Sequence, residues 1–537
     1  MNARKSLLIL INRVIGAGFG LIALAFIGRY MDPAAYGKVG FAIALLGVVG
    51  VLGNMGLSQA HIKRVSEGQD LGACIGTYAR LRALLVVGTT CAFVAAVLAW
   101  ERTQGFTDAT TMLVILVLTA RHLFEQARLG VVDTLRALRR TAMEQSVEMS
   151  ETVVRVGATV LAAILFAGVT GQTGPLGSLP TRWAGSLGLE GPWDVDAAAD
   201  LLAFAFFLGM FASFFVAWRH FRRLRVAGLR FDRDLARSYW RFALPMAAIA
   251  VVAVLANQMD SIMVGYFWSA REVGYYFTAQ RLIMLINVLP FAVGNLFFPM
   301  MSELSAARQR EGASRVARTA QRLLMLVALP VFLPLLVFRD AILHVFVGDA
   351  YLPAAPLLGL LGLHTVLLSA SIVAMSVVRG FDRPRIAMAA GLSIMGSNLV
   401  LNVIMIPDSI LGVPLLGLKA QGAAMATVVA QAIGMIVLLV AGQRILDRPL
   451  LGMSMLRQVA AFGIALVAFL GLDAAGALPV VDRVWELAAA SLLLVALHGG
   501  ILWLLRELTR KDILFFLDLV HPGKMGRYVR DELRGRP

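Results

Sequence analysis

Ionisable side chains interrupt what are otherwise long apolar stretches of this sequence: Arg13; Arg121, His122 and Glu125; Glu148, Glu151 and Arg155; Asp260; and Arg281. A charge at the centre of a membrane helix costs about 2.5–3.5 kcal/mol on insertion scales, so each of these residues needs a partner or a task. A guanidinium fork binds an oxyanion bidentately, and it also pairs with a carboxylate. Both readings stand for Arg155, which shares a helix face with Glu148 and Glu151 at the i, i+3, i+7 spacing. Both also stand for Arg121, within reach of Glu125 or of the glutamates on the next helix. Arg13 and Arg281 have no acidic residue close by in sequence and suit the oxyanion role better. Asp260, preceded by Asn257 and Gln258, is a candidate for ion or proton coupling, although a solvated carboxylate near a helix end is the plainer reading. Asn398 and Asn402 stand at i and i+4 and read as structural glue between helices. His364 and His498 lack companions at metal-ligand spacing and read as hydrogen-bonded core histidines. The sequence therefore offers no catalytic constellation, no metal site and no cofactor-binding motif. A phosphate-cradling G-x4-G-K-S/T loop and a supported G-x-S-x-G elbow are both missing. Cys74, expected in a short basic loop, and Cys91 have neither zinc nor disulfide spacing.

The elements that must carry these residues are membrane helices. The chain has 537 residues, 59% of them hydrophobic and only 15% charged, with a mean hydropathy of +0.78. That is more apolar side chain than a soluble core can hide. A bilayer needs roughly 20 apolar residues per crossing, and about fourteen stretches qualify: 6–29, 36–60, 80–99, 110–130, 145–168, 197–218, 238–266, 273–303, 318–338, 353–378, 384–406, 417–442, 456–473 and 484–506. Arginine tests the count, because cytoplasmic loops are enriched in Lys and Arg. Loops after even-numbered spans hold clusters such as Arg136, Arg139 and Arg140, or Arg219, Arg222, Arg223 and Arg225, while loops after odd-numbered spans are nearly bare. The alternation places both termini in the cytoplasm. It also assigns the net charge of +16 to loops rather than to a nucleic-acid surface. The N-terminal segment has no small-residue cleavage site and reads as the first span, not as a signal peptide.

The segment 169–196 reads as an external interfacial loop, and the basic tail as solvated or as an amphipathic helix with Ile513, Leu514, Phe515 and Phe516 facing lipid. An internal repeat supports two halves. Gly28, Gly37 and Ala42 are spaced as G-x8-G-x4-A, as are Gly265, Gly274 and Ala279. The spans that begin the two frames are six apart, so the halves are parallel repeats about an axis normal to the membrane, a design that suits alternating access around a central cavity. The fold class is an all-α membrane protein: a six-helix half over 1–235, a second over 236–450, a helix pair over 451–508 and a basic cytoplasmic tail over 509–537.

The stretches YGKVGFAIALLGVVGVLGNMGLSQA, DSIMVGYFWSAREVGYYFTAQRL, and SNLVLNVIMIP followed by QGAAMATVVAQ, resemble the polysaccharide-transporter family of O-antigen and exopolysaccharide flippases. The superfamily also holds multidrug exporters and the lipid II flippase. The resemblance spans roughly 1–450, with a longer interval between Pro407 and Gly422 than the family pattern has. It implies a bundle of two six-helix halves around a lumen in the inner membrane, with a polyprenyl-diphosphate-linked glycan as cargo and polysaccharide polymerase or export machinery as partners. On that reading Arg13, Arg155, Arg281 and Arg121 are lumen candidates for gripping the diphosphate. A cation-coupled multidrug exporter is the alternative, with an integral-membrane sugar polymerase behind it.

Overall fold

The computed structural model describes residues 2–510 apart from 105–108, 173–175, 177, 189–190, 192, 225, 227 and 476–480, together with 512 and 514. Nearly all of it is helix. The first helices are α1 (Asn2–Tyr30), α2 (Pro33–Asn54), α3 (Leu57–Ser66), α4 (Leu71–Gln104), α5 (Ala109–Ala137), α6 (Thr141–Thr170), α7 (Leu179–Ser186) and α8 (Val195–Arg223). Then come α9 (Arg233–Phe267), α10 (Ala270–Ala306), α11 (Arg310–Val337), α12 (Arg339–Phe346) and α13 (Ala355–Gly380). The chain continues through α14 (Pro384–Met405), α15 (Lys419–Leu446), α16 (Met453–Ala474) and α17 (Val484–Leu504). All but α3, α7 and α12 have at least 21 residues, enough at 1.5 Å per residue to cross a core of roughly 30 Å. Fourteen long helices among the described residues match the fourteen expected spans. Ten of them are apolar enough to cross a membrane by length and hydropathy alone. Outside those ten, α5 carries Arg121, His122, Glu125 and Arg128.

Local chemistry sets the helix starts and stops. Asp32, Asp194 and Asp232 cap α2, α8 and α9, each side chain accepting backbone N–H bonds of the first turn. The expected span 36–60 is broken at Met55 and Gly56, whose φ values of 39° and 76° are left-handed. The apolar pattern alone runs through this break, which frees α3 to turn a short polar face inward. Cys74, expected in a loop, is buried in the first turn of α4. The segment 169–196 contains the short α7, against which Gly168 packs so tightly that a Cβ there would lie 2.3 Å from the Pro180 carbonyl oxygen. The long interval before Gly422 folds as a small antiparallel hairpin, Ser409–Ile410 against Val413–Pro414. The amphipathic helix expected around Ile513, Phe515 and Phe516 lies outside the described residues, as does the basic tail beyond it.

Packing divides the described residues into two compact units, one up to Gly274 and one from Tyr275 onward. In the first, α6 lies between α8 and α1, and α2 sits among α4, α5, α8 and α9. In the second, α13 packs on α11 and α15, α14 packs on α15, and the pair α16–α17 docks on α11. That dock is apolar: Leu333 and Phe338 meet Ala465, Phe469, Leu487 and Leu494. His498 departs from the hydrogen-bonded reading. It is fully buried beside Phe462, and neither ring nitrogen has a partner among the described residues.

Candidate functional site

The repeated G-x8-G frames meet within the first unit. A Cβ on Gly37 would stand 1.6 Å from the Ala270 carbonyl oxygen, and one on Gly274 would stand 2.0 Å from that of Pro33. Gly265 packs in the same way on the Phe41 ring. Only glycine permits this approach of the α1–α2 turn to the start of α10. Arg271 closes it with a 2.6 Å bond to Asp32, and nearby Lys38, 8% exposed, pairs with Asp196 of α8 at 2.7 Å.

A second polar cluster surrounds α3. Asp133 of α5, 2% exposed, accepts hydrogen bonds from the Ser58 and Tyr78 hydroxyls at 2.6 Å each and faces the Arg82 guanidinium at 3.3 Å. Arg82 also donates to Gln126 at 2.7 Å and to the Tyr78 hydroxyl. Beside it, His61 stacks on Tyr78 and hydrogen-bonds Thr134 and Tyr239, both at 2.9 Å. Burial, reinforced by Arg82 and opposed by the stronger pull of Asp133, lowers the His61 pKa to about 4. His61 is therefore neutral at pH 7, and its sign follows by linkage. The unfolded chain takes up the imidazole proton below about pH 6.5, while the folded chain resists until about pH 4. Thermal stability is expected to fall as pH drops from 6.5 toward 4, and His61→Gln should flatten that slope; an unchanged slope in the variant would contradict the assignment.

The residues singled out in sequence distribute differently from what an ion-paired bundle requires. The glutamates do not bridge α5 to α6 through Arg121 or Arg155. Arg121 bonds Glu125 at 3.1 Å and Arg155 bonds Glu151 at 2.7 Å, each one turn away on its own helix, a pairing that costs less side-chain ordering than a cross-helix bridge. Arg155 also lies over Phe206, and α8 approaches it through Gly209. Glu148 is half-buried, without a cation within 4.0 Å among the described residues. Arg13 on α1 is exposed and has no carboxylate within reach among the described residues, while its neighbour Asn12 ties α1 to α6 by donating to the Gln145 side chain at 2.7 Å. Arg281, in the second unit, is exposed over the Phe277 ring and is likewise free of carboxylates.

Asp260 is not a solvated helix end. It is 4% exposed, two turns before the end of α9, on a helix whose Gln258 fills the space left by Gly47 of α2. Asn398 bonds Thr427 of α15 at 3.3 Å and accepts from Asn402 at 3.1 Å. Gln431 extends the tie to Ser371 of α13 at 2.8 Å, and Thr365 of α13 bonds Asn287 of α10 at 2.8 Å. Among the described residues no group of His, Cys, Asp and Glu could hold a metal ion. Sequence reasoning missed Lys38, Arg82 and Asp133: Lys38 pairs with Asp196 across 158 positions, and Arg82 faces Asp133 across 51. The signal available was a charge inside a long helix, with Arg82 about three turns into α4 and Asp133 one turn before the end of α5.

The chain is similar to known proteins in sequence and in fold. The family described as Polysaccharide biosynthesis protein matches residues 198–356. The "Probable low-salt glycan biosynthesis flippase Agl15" of Haloferax volcanii is 24% identical over 406 residues, 75% of this chain and 77% of that protein. By sequence the chain is similar to these proteins. Its fold agrees. The lipid II flippase MurJ in an inward closed conformation aligns with a TM-score of 0.67 at 14% identity, covering 93% of this chain and 99% of that one. An inward-facing multidrug resistance MATE family transporter of the MOP superfamily aligns with a TM-score of 0.60 at 14% identity, covering 80% and 94%. This is a multi-pass membrane protein with the fold of that transporter superfamily.

Proposed function

We propose that the protein moves a polyprenyl-diphosphate-linked glycan across the cytoplasmic membrane by alternating access, for synthesis of a surface polysaccharide. The observation that carries this reading is the charge balance of the long helices. Arg121 and Arg155 spend their charge on glutamates of their own helices, whereas Arg13 and Arg281 keep guanidiniums free of carboxylates among the described residues. A free cation in an apolar helix is costly unless an anion arrives to meet it, and a diphosphate held by guanidinium forks is such an anion. The glycan-flippase relative supports the same cargo class. The repeat halves are 1–235 and 236–450, with helix pair 451–508 as an addition to the second. The arginine alternation puts both termini inside, and Asp260, buried in α9, is the coupling candidate.

Deleting the gene should leave lipid-linked oligosaccharide on the cytoplasmic leaflet, and wild-type protein should clear it. Arg13→Ala and Arg281→Ala, at equal protein level, should each cut flipping by about 10-fold or more, since one charge-assisted contact is worth about 1.5–3 kcal/mol. Clearance by both variants at the wild-type rate would remove the arginines from the mechanism. New drug sensitivity without accumulation would move the protein to the multidrug branch.

A further inference from the structure

We propose that the second unit holds an anionic glycerophospholipid in a cavity between the ends of α11, α14 and α15. The cavity has a volume of about 600 Å³ and is lined by three arginines, Arg310, Arg383 and Arg444, together with apolar side chains. The charges do not cancel within it. Arg310 bonds Asp447 at 2.9 Å, but no carboxylate lies within 4.0 Å of Arg383 or Arg444 among the described residues. Two positive charges therefore face the cavity without compensation.

The apolar side has a direction. Ile436, Val440 and Arg444 follow one another at i, i+4 and i+8 on α15, so they form one stripe that ends in the guanidinium. Ile436 and Val440 are 57% and 44% exposed, which suits contact with an acyl chain along the helix while the headgroup phosphate reaches the arginines. A soluble anion would use only the basic end. A cargo lipid has to leave for the other leaflet, whereas this cavity is built at one end of a single unit. By the arginine alternation that end faces the cytoplasm, where the leaflet is rich in anionic lipid and basic pockets between helices bind its headgroups.

The full-length protein, delipidated in neutral detergent, should retain added phosphatidylglycerol but not phosphatidylcholine in native mass spectrometry. Removing both uncompensated charges, with Arg383→Gln and Arg444→Gln together, should weaken phosphatidylglycerol binding about 25-fold, a factor of about five for each arginine. Arg385→Gln, in the first turn of α14 but not lining the cavity, should leave binding unchanged. Sodium pyrophosphate at matched concentration should not displace the lipid. Equal binding of the two lipids by the wild type, wild-type affinity in the double variant, or displacement by pyrophosphate or by a polyprenyl phosphate would each overturn the proposal. The lipid preference of the wild type tests it without any variant, and none of these readouts depends on flipping.

Discussion

Asp133→Ala is expected to destabilise the first unit by about 3–5 kcal/mol, the cost of leaving a buried charge without its partner. The carboxylate gathers Ser58, Tyr78 and Arg82 at one point, and Arg82 is itself only 4% exposed. Arg136, 3.7 Å from Asp133 and bonded to Glu144 at 2.7 Å, reaches the rim of the same cluster but is half exposed and free to turn away. Asp133→Asn keeps acceptors for the hydroxyls and should cost less than alanine. The decisive measurement is a double-mutant cycle in thermal unfolding of the purified protein. Arg82→Met with Asp133→Leu should recover most of the loss, because replacing both members by apolar groups removes the stranded charge as well as the bond. Additive losses in the double variant would show that the two residues act separately.

Arg322→Ala should loosen the C-terminal helix pair. Arg322 makes paired bonds to Asp512 at 2.6 and 3.1 Å, donates to the Glu507 carbonyl at 2.5 Å and lies 3.5 Å from the Glu507 carboxylate. Ser454 and Arg457 of α16 reach the same carboxylate at 2.6 and 3.3 Å. One side chain of α11 thus ties the start of α16 to the residues after α17. With Arg322 about a quarter exposed, its removal should cost about 2 kcal/mol, at the level of charge-assisted hydrogen bonds rather than of a fully buried pair. Hydrogen exchange along 484–504 should speed up while 141–170 keeps its protection; equal protection in both would show that the apolar dock on α11 suffices. Acid should imitate the mutation. Burial raises the Asp512 pKa, but bonds from Arg322 and Thr509 outweigh it and hold the carboxyl below its ordinary 3.8. That stability is complete above the ordinary carboxylate pKa and is lost as pH falls below it.

The number and placement of the long helices were legible because the bilayer demands a repeated apolar length and arginine marks alternate ends. The ties between helices were not. Lys38 and Asp196 stand 158 positions apart, and Arg82 and Asp133 stand 51 apart, so no local spacing announces either pair. Helical spacing did expose the Arg155–Glu151 face, and the structure keeps that pair on one helix. The break at Met55 and Gly56 was hidden because a left-handed turn leaves the hydropathy of its surroundings unchanged. The glycine frames were visible as a repeat, but the sequence did not show that they would press against each other.

The bond between His61 and Tyr239 also bears on how the protein is made. Tyr239 belongs to α9, so the cluster around α3 stays open on the ribosome until the seventh long helix has been synthesised and inserted. A truncated product ending at 235 would expose His61 and the face of α3 to water or to chaperones. One ending after Gly274 would contain all the described residues of the first packed unit, and that is where a fragment for separate expression should stop.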